Sequence, residues 1–381
     1  MFQRPDSAVW PLFYAATSIL KQTSINRDNN MKKNLTPKEI KIQRILKRIV
    51  NLIIIAIIVT YGIQLFTTVK ALKEHGYLNL VDVGEYELNV ATFGAKNGEH
   101  RIVGIADLND GDFSVSASRL TEFLGQKNRL IFIDRAGYGL SDDTWNAPTV
   151  EKVVKDYRKA LQTLEIQAPY VLLAESYGGV YATYWETQYP EEIEAVIFID
   201  GTEMHESEIE NKNANKHHCF TEIITSAVSR LGWSKIISQE KYPIYPITYS
   251  QEEKVMGDGL TTGTLDSMAP VLETHKKWEN IEKTYAAITR NTIPKLYIST
   301  NTQWRHKSPD VNSEQEFGDV VRATDKQPGE MLTPYLDKMG NCRLTYISGT
   351  NCVYEYNFEE CGRIIQSFLS KLDLYQQTPV N

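Results

Sequence analysis

Ser176 is the residue around which this sequence could do chemistry. It lies in Ala174-Glu175-Ser176-Tyr177-Gly178-Gly179, with small residues two positions before and two after it. Ahead of it, Tyr170 to Leu173 is a short apolar run suited to a buried parallel strand. Behind it, Val180 to Tyr189 carries helical spacing that Pro190 stops, and Ala195 to Ile199 reads as a second buried strand ending in Asp200-Gly201. A serine on so sharp a strand-to-helix turn lifts its hydroxyl above the sheet. The next backbone N–H then faces the place where an oxyanion would develop. The turn presses strand and helix backbones together, so Ala174 and Gly178 must be small. A serine hydroxyl is a poor nucleophile until a base takes its proton, and that base needs a carboxylate to orient it. The rest of the chain has to supply both.

The elements that would position them recur in alternation. Tyr77 to Phe93 alternates polar and apolar residues around Gly84 and predicts an antiparallel hairpin. Arg101 to Ile105 and Arg129 to Ile133 are short buried strands separated by a helix over Ser114 to Leu124. Val150 to Leu164 is a helix with Val153, Val154, Tyr157 and Leu161 on one face. Lys295 to Ser299 and Arg343 to Ile347 give the last two strands, and Cys361 to Leu372 a closing helix. Strands spaced by helices in this order imply an α/β fold with a doubly wound, mostly parallel sheet and an antiparallel start. Between Gly201 and about residue 291 the alternation is interrupted by helical stretches over Glu222 to Leu231, Gln251 to Met256 and Met268 to Ile288.

Two motifs carry a family resemblance. Ala174-Glu175-Ser176-Tyr177-Gly178 resembles the G-x-S-x-G elbow of the α/β-hydrolase superfamily with its first glycine replaced by alanine. The run Asp134-Arg135-Ala136-Gly137-Tyr138-Gly139-Leu140-Ser141-Asp142 is similar to the loop after the fourth strand of those proteins. The resemblance covers about residues 77–201, and the last 80 residues more loosely. It implies a hydrolase core over 76–201 and 292–374, with a helical cap or lid over 202–291 inserted after strand 6. It also implies a bacterial serine ester or acyl hydrolase, esterase- or lipase-like, acting on a small ester or lipid-like substrate. Trp233, Tyr242, Tyr245 and Tyr249 would line an acyl pocket or, as expected here, form the cap's own core.

The resemblance also says where the partners of Ser176 should be, and the chain departs from it. The family histidine position after the last strand holds Asn351, and no histidine follows His306. The loop after Lys295–Ser299, which usually carries the acid, reads Thr300-Asn301-Thr302-Gln303, leaving Asp200 as the candidate acid. The N–H groups of Leu108 and Tyr177 would form the oxyanion hole. Ala106-Asp107 stands where His-Gly is usual. A carboxylate at Asp107 aimed inward would oppose an oxyanion, and the expectation is that it points outward as a loop residue. Asparagine is no base. Either His205, with His217 and His218 further along, supplies a surrogate base, or the chain is an inactive pseudo-hydrolase that binds a ligand or partner. No cofactor motif or metal-ligand spacing is present, and Cys219, Cys342, Cys352 and Cys361 are expected as unpaired thiols.

The formal charge of −7 divides unevenly, +8 over residues 1–74 and −15 over the remainder, which disfavours nucleic-acid binding by the main domain. Ile49 to Val69 has 21 residues without a charge, enough for one transmembrane helix. Seven Lys and Arg residues from Lys32 to Arg48 precede it, and only Lys70 and Lys73 follow closely. The positive-inside rule then places residues 1–48 in the cytoplasm and the main domain outside the plasma membrane, on an uncleaved single-pass anchor. Residues 1–30 lack periodicity, and Met31-Lys32-Lys33-Asn34 reads as a bacterial start, so the first thirty residues are expected to be an over-extended reading. Sequencing of the purified protein is expected to begin at Met31; a first residue of Met1 would refute that.

Overall fold

A computed structural model describes residues 36–205, 245–246, 248–300, 329–347, 349 and 352–377. It forms two compact units, residues 1–67 and 68–381. Helix α1, Pro37–Glu74, makes up the described part of the first unit and runs into the second. Ile49, Leu52, Ile55, Ile63 and Phe66 along it are all exposed, Phe66 to 70%. Among the described residues no helix is long and apolar enough to cross a membrane. The side chains at 53, 57, 58, 61, 64 and 65, within the expected span, lie outside the described set.

The second unit is built on an eight-stranded sheet in the order β1-β2-β4-β3-β5-β6-β7-β8. Strands β1 (Leu80–Asp82) and β2 (Glu87–Gly94) form the expected hairpin, with β2 antiparallel to β4 (Arg129–Ile133). From β4 onward, β3 (Arg101–Ile105), β5 (Tyr170–Glu175), β6 (Ile193–Ile199), β7 (Lys295–Thr300) and β8 (Cys342–Ile347) pair in parallel. Every residue of β5 is buried, as a central parallel strand covered on both faces requires.

Alternate residues of these strands feed two separate cores, the consequence of a side-chain period of two. Val103, Ile131, Leu172 and Val196 face one core, shared with α4 (Val150–Thr163) and α5 (Gly178–Gln188) through Tyr157, Tyr181 and Trp185. Ile102, Leu130, Leu173 and Ile197 face the other, shared with α3 (Ser118–Gly125) and α10 (Phe358–Leu369) through Leu120, Leu124, Ile365 and Phe368. Short α2 (Phe113–Ser116) precedes α3, so the helix expected over 114–124 is broken at Ala117. Thr149 caps α4 by accepting from the Lys152 N–H, and Pro190 follows the end of α5 as expected.

Of the interrupting segment, α6 (Gln251–Leu265) and α7 (Ala269–Ala287) are described. Helix α6 starts from a capping box in which Ser250 and Glu253 satisfy each other's backbone N–H, and it runs well past the expected Met256. Residues Glu222–Leu231, Trp233, Tyr242, His217, His218 and Cys219 lie outside the described set. The rings of Tyr245 and Tyr249 stack 5.7 Å apart, and their hydroxyls donate to Asp112 and to the Ser116 carbonyl at 2.5 and 2.6 Å. They act as packing groups, with Tyr249 only 3% exposed. Helices α8 (Gly329–Met339), α9 (Val353–Tyr356) and α11 (Leu372–Gln377) complete the described chain. Among the described residues, Cys342, Cys352 and Cys361 form no disulfide.

The start of α5 lies so close to the end of β3 that a Cβ added to Gly178 would fall well inside van der Waals contact of the Ile105 carbonyl oxygen. Backbone cannot retreat from backbone cheaply. Gly178→Ala is expected to lower unfolding stability by about 1–3 kcal/mol in urea denaturation; an unchanged midpoint would show that the close approach is not needed.

Candidate active site

Ser176 occupies the turn between β5 and α5 with φ +44°, a left-handed conformation unusual for a residue with a side chain. The turn is pinned on its backbone. The Ser176 N–H donates to the Ile199 carbonyl at 3.0 Å, and its own carbonyl accepts from Gly179 and Thr202 at 3.0 and 2.9 Å. The end of β6 thus fixes the serine's position, which is the elbow geometry expected from the small residues around it.

The oxyanion position is filled from within. The Tyr177 N–H donates to Asp107 Oδ1 at 2.9 Å. The Leu108 N–H and the Ser176 hydroxyl act on the Asp107 carboxyl as well, favouring its charged form. Burial pushes the Asp107 carboxyl above the usual carboxylate range, against the opposing effect of these three donors. The expectation that Asp107 points outward is therefore corrected. Of the two backbone donors expected to receive a developing oxyanion, Asp107 takes that of Tyr177.

Arg135 holds the loop in this arrangement. Its guanidinium donates to the carbonyls of Ala106 and Asp107 at 2.8 and 2.6 Å. It pairs with Glu273 of α7 at 3.1 Å, both side chains being almost wholly buried. It also lies 4.1 Å from the centre of the Tyr138 ring and 5.3 Å from that of Tyr181, whose hydroxyl donates to Glu273. Burial acts to lower the Arg135 pKa, but Glu273 together with Tyr138, Tyr157 and Tyr181 raises it above its ordinary value. The remainder of the Asp134–Asp142 motif is architectural. Ser141 donates to the Asp134 carbonyl at 2.8 Å and accepts from the Asn89 N–H at 2.8 Å, and Asp142 accepts from Glu87 at 3.0 Å.

Carboxylates crowd the approach to the serine. Glu175, immediately before it, is 3% exposed; it accepts from the Tyr354 hydroxyl at 2.8 Å, while its Oε2 has no hydrogen-bond partner. Burial, then the charges of Asp110 and Asp107, push its pKa well up. Burial and Asp110 do the same to Glu355, and to Asp112 beneath Tyr245. Sequence reasoning passed over Glu175, Asp110 and Glu355. A carboxylate closing a wholly apolar strand, as Glu175 does, was the signal available.

The remaining candidates do not converge on Ser176. Asp200, φ +44°, accepts from the Thr300 N–H at 2.7 Å and from the Thr300 hydroxyl, so it secures the end of β7. His205 has its Nε2 3.8 Å from Glu203 and makes no hydrogen bond to Ser176; that nitrogen is buried without a hydrogen-bond partner. Asn351 lies outside the described residues. Among the described residues no group of three or more His, Cys, Asp or Glu side chains could hold a metal ion. As arranged, the Tyr177 N–H can hold an anion-like group, and the chain's own Asp107 is that group.

Comparison with known proteins agrees with this architecture. A sequence model of the alpha/beta hydrolase fold family matches residues 115–226. An uncharacterized protein of Bacillus subtilis strain 168, YbdG, is 29% identical over 155 residues, 41% of this chain and 46% of that protein. The chain thus spans about half of that relative's length. The haloalkane dehalogenase DatA of Agrobacterium tumefaciens C58 is similar at a TM-score of 0.54 and 14% identity, over 77% of this chain and 96% of its own. A carboxylesterase structure from Nitrososphaera gargenis gives 0.50 and 14%, over 77% and 99%. The sheet order, the elbow and these likenesses together establish the α/β-hydrolase fold.

The raised carboxyls set a pH dependence. Burial lifts Asp134 from 3.8 to about 7, against hydrogen bonds from Asn89 and Leu140. The folded chain therefore keeps a proton that the unfolded chain releases, and stability is lost as pH rises from about 4 through 7. Asp107, Asp112, Glu175, Asp200 and Glu355 are shifted in the same direction. The thermal midpoint is expected to be higher at pH 5.5 than at pH 8, with Asp134→Asn narrowing the gap. A midpoint that rises with pH over that window would contradict the assignment.

Proposed function

We propose that this is a hydrolase-like protein of the α/β-hydrolase fold whose serine centre is held shut, so that it serves as a ligand- or partner-binding domain rather than as a turnover enzyme. The observation that carries this is Asp107: its carboxylate takes the Tyr177 N–H that hydrolysis would need for the oxyanion. No described imidazole is hydrogen-bonded to Ser176. Losing the triad histidine costs on the order of a million-fold in subtilisin, an unrelated fold with the same triad. The ligand class that the fold suggests is a small ester or lipid-like molecule, in keeping with neighbours named as a carboxylesterase and a haloalkane dehalogenase.

The same proposal places the domain outside the plasma membrane on a single span over 49–69, with the N-terminus cytoplasmic. That placement rests on the 21 uncharged residues, the basic flank before them and the exposed apolar side chains along α1.

A second reading is favoured by one observation: the Asp107 carboxyl, bonded to the Tyr177 N–H directly after Ser176, has its pKa raised by burial and feels the Ser176 hydroxyl. A raised pKa makes Asp107 a better base, and an ester or acyl hydrolase with Ser176 as nucleophile would use it to accept the serine proton once the hole is vacated. A fluorophosphonate probe on the full chain separates the two. The expected result is no labelling of Ser176 in the native protein, and labelling in Asp107→Ala combined with Asn351→His, which frees the donors and returns an imidazole. Native labelling lost in Ser176→Ala would sink the binding-domain proposal in favour of the hydrolase. Native labelling that disappears in His205→Ala would identify that residue as the base.

A further inference from the structure

A second cavity lies away from Ser176 and shares no residue with it. Its volume is about 650 Å³, within the range of small-molecule sites. Phe93 and Gly94, in its wall, pair with Leu130 and Arg129 at the start of β4, so the cavity sits at the sheet end opposite the elbow. His75 and Tyr77, which follow directly on α1, form another wall, and the first turn of α6 a third.

The lining has two chemical halves. Tyr77, Phe93 and Met256 give an apolar floor, with the Tyr77 and Phe93 rings 4.8 Å apart. Glu122, Glu252 and Glu253 give an acidic rim. Arg119 pairs with two of these carboxylates, Glu122 at 3.3 Å and Glu253 at 3.1 Å. Glu252 faces His75 across 3.9 Å. Three carboxylates against one guanidinium leave the rim negative, and the effect is felt inside: burial, then Glu253 and Glu122, raise the Tyr77 hydroxyl to about 12. Thr121, in the same wall and 6% exposed, has a hydroxyl without a hydrogen-bond partner.

The geometry points to a binding site for an organic ammonium ion carrying an apolar chain: the chain against Tyr77, Phe93 and Met256, the cation between the aromatic rings and the glutamate rim. Aromatic faces and carboxylates both attract such a cation, and an anion of the same size would be repelled. The ammonium could come from a soluble amine or from a phosphatidylethanolamine headgroup. The lipid source rests on the proposed span just before His75; the amine source does not. Neither depends on whether Ser176 is active.

The test is calorimetric titration of the full chain in maltoside micelles with octyltrimethylammonium, using octyl sulfate as the matched anion. Saturable one-to-one binding of the ammonium alone is expected. Glu122→Gln with Glu252→Gln, both at exposed positions, should weaken it roughly fivefold, and Phe93→Leu about two- to fivefold by removing the aromatic face. Binding of octyl sulfate as tight as the ammonium, no saturable ammonium binding, or an unaltered affinity in the glutamate variant would overturn the site. Doping the micelles with phosphatidylethanolamine identifies the source. A competitive loss of ammonium affinity assigns the site to the headgroup, and an undiminished affinity to a soluble amine.

Discussion

The arrangement around Ser176 depends on the buried pair of Arg135 and Glu273. Two charges taken out of water cost several kcal/mol each, about what their mutual attraction returns, so such a pair survives only if its remaining donors are satisfied. Arg135 spends those donors on the carbonyls of Ala106 and Asp107, and its guanidinium face meets the Tyr138 ring. One side chain after β4 thereby joins the loop after β3 to a helix inserted after β6. The loop is held at its backbone, and the Asp107 carboxylate reaches from it to the Tyr177 N–H.

Strain at Ser176 is usually the mark of a working nucleophile, because the left-handed turn is what exposes the hydroxyl. Here the strain persists and its backbone supports persist with it, including the bond from Ser176 to Ile199. What has changed is the field the hydroxyl sees. Glu175, Asp110 and Glu355 stand near Asp107, and each carboxyl among them that burial has desolvated is pushed toward its neutral form by its neighbours. An oxyanion formed at this turn would add a negative charge to that group. The elbow geometry and the carboxylates around it therefore pull against each other at this turn.

The sheet was legible because its strands are short apolar runs bounded by polar turns. Arg101–Ile105 and Arg129–Ile133 fall where the residue pattern put them, and β6, β7 and β8 are longer by one or two residues at an end. Helix α8 was missed because Pro334 lies within it and argues against a helix on sequence alone. The helix over 114–124 was found but not its break at Ala117. The direction of Asp107 could not be read from its neighbours. It is set by Arg135, 28 positions on, and by Glu273 further still, and a local pattern carries no record of such contacts. The same is true of Asp200, which looked like an acid at a strand end and is instead the partner of Thr300.

The departures from the hydrolase pattern are not independent losses. Asp107 and Glu175 place carboxylates beside the serine. In a working triad the histidine becomes an imidazolium as the oxyanion forms, and the two charges stabilise each other. A carboxylate already seated in the hole would capture that imidazolium in the ground state and raise the barrier it is meant to lower. On the proposed reading, in which the chain offers no histidine after His306, that objection does not arise. The Tyr177 N–H still needs an acceptor, and a buried unpaired N–H costs about 1–3 kcal/mol. Asp107 provides that acceptor from within the chain, so filling the hole is the stable arrangement once no substrate oxygen has to enter it.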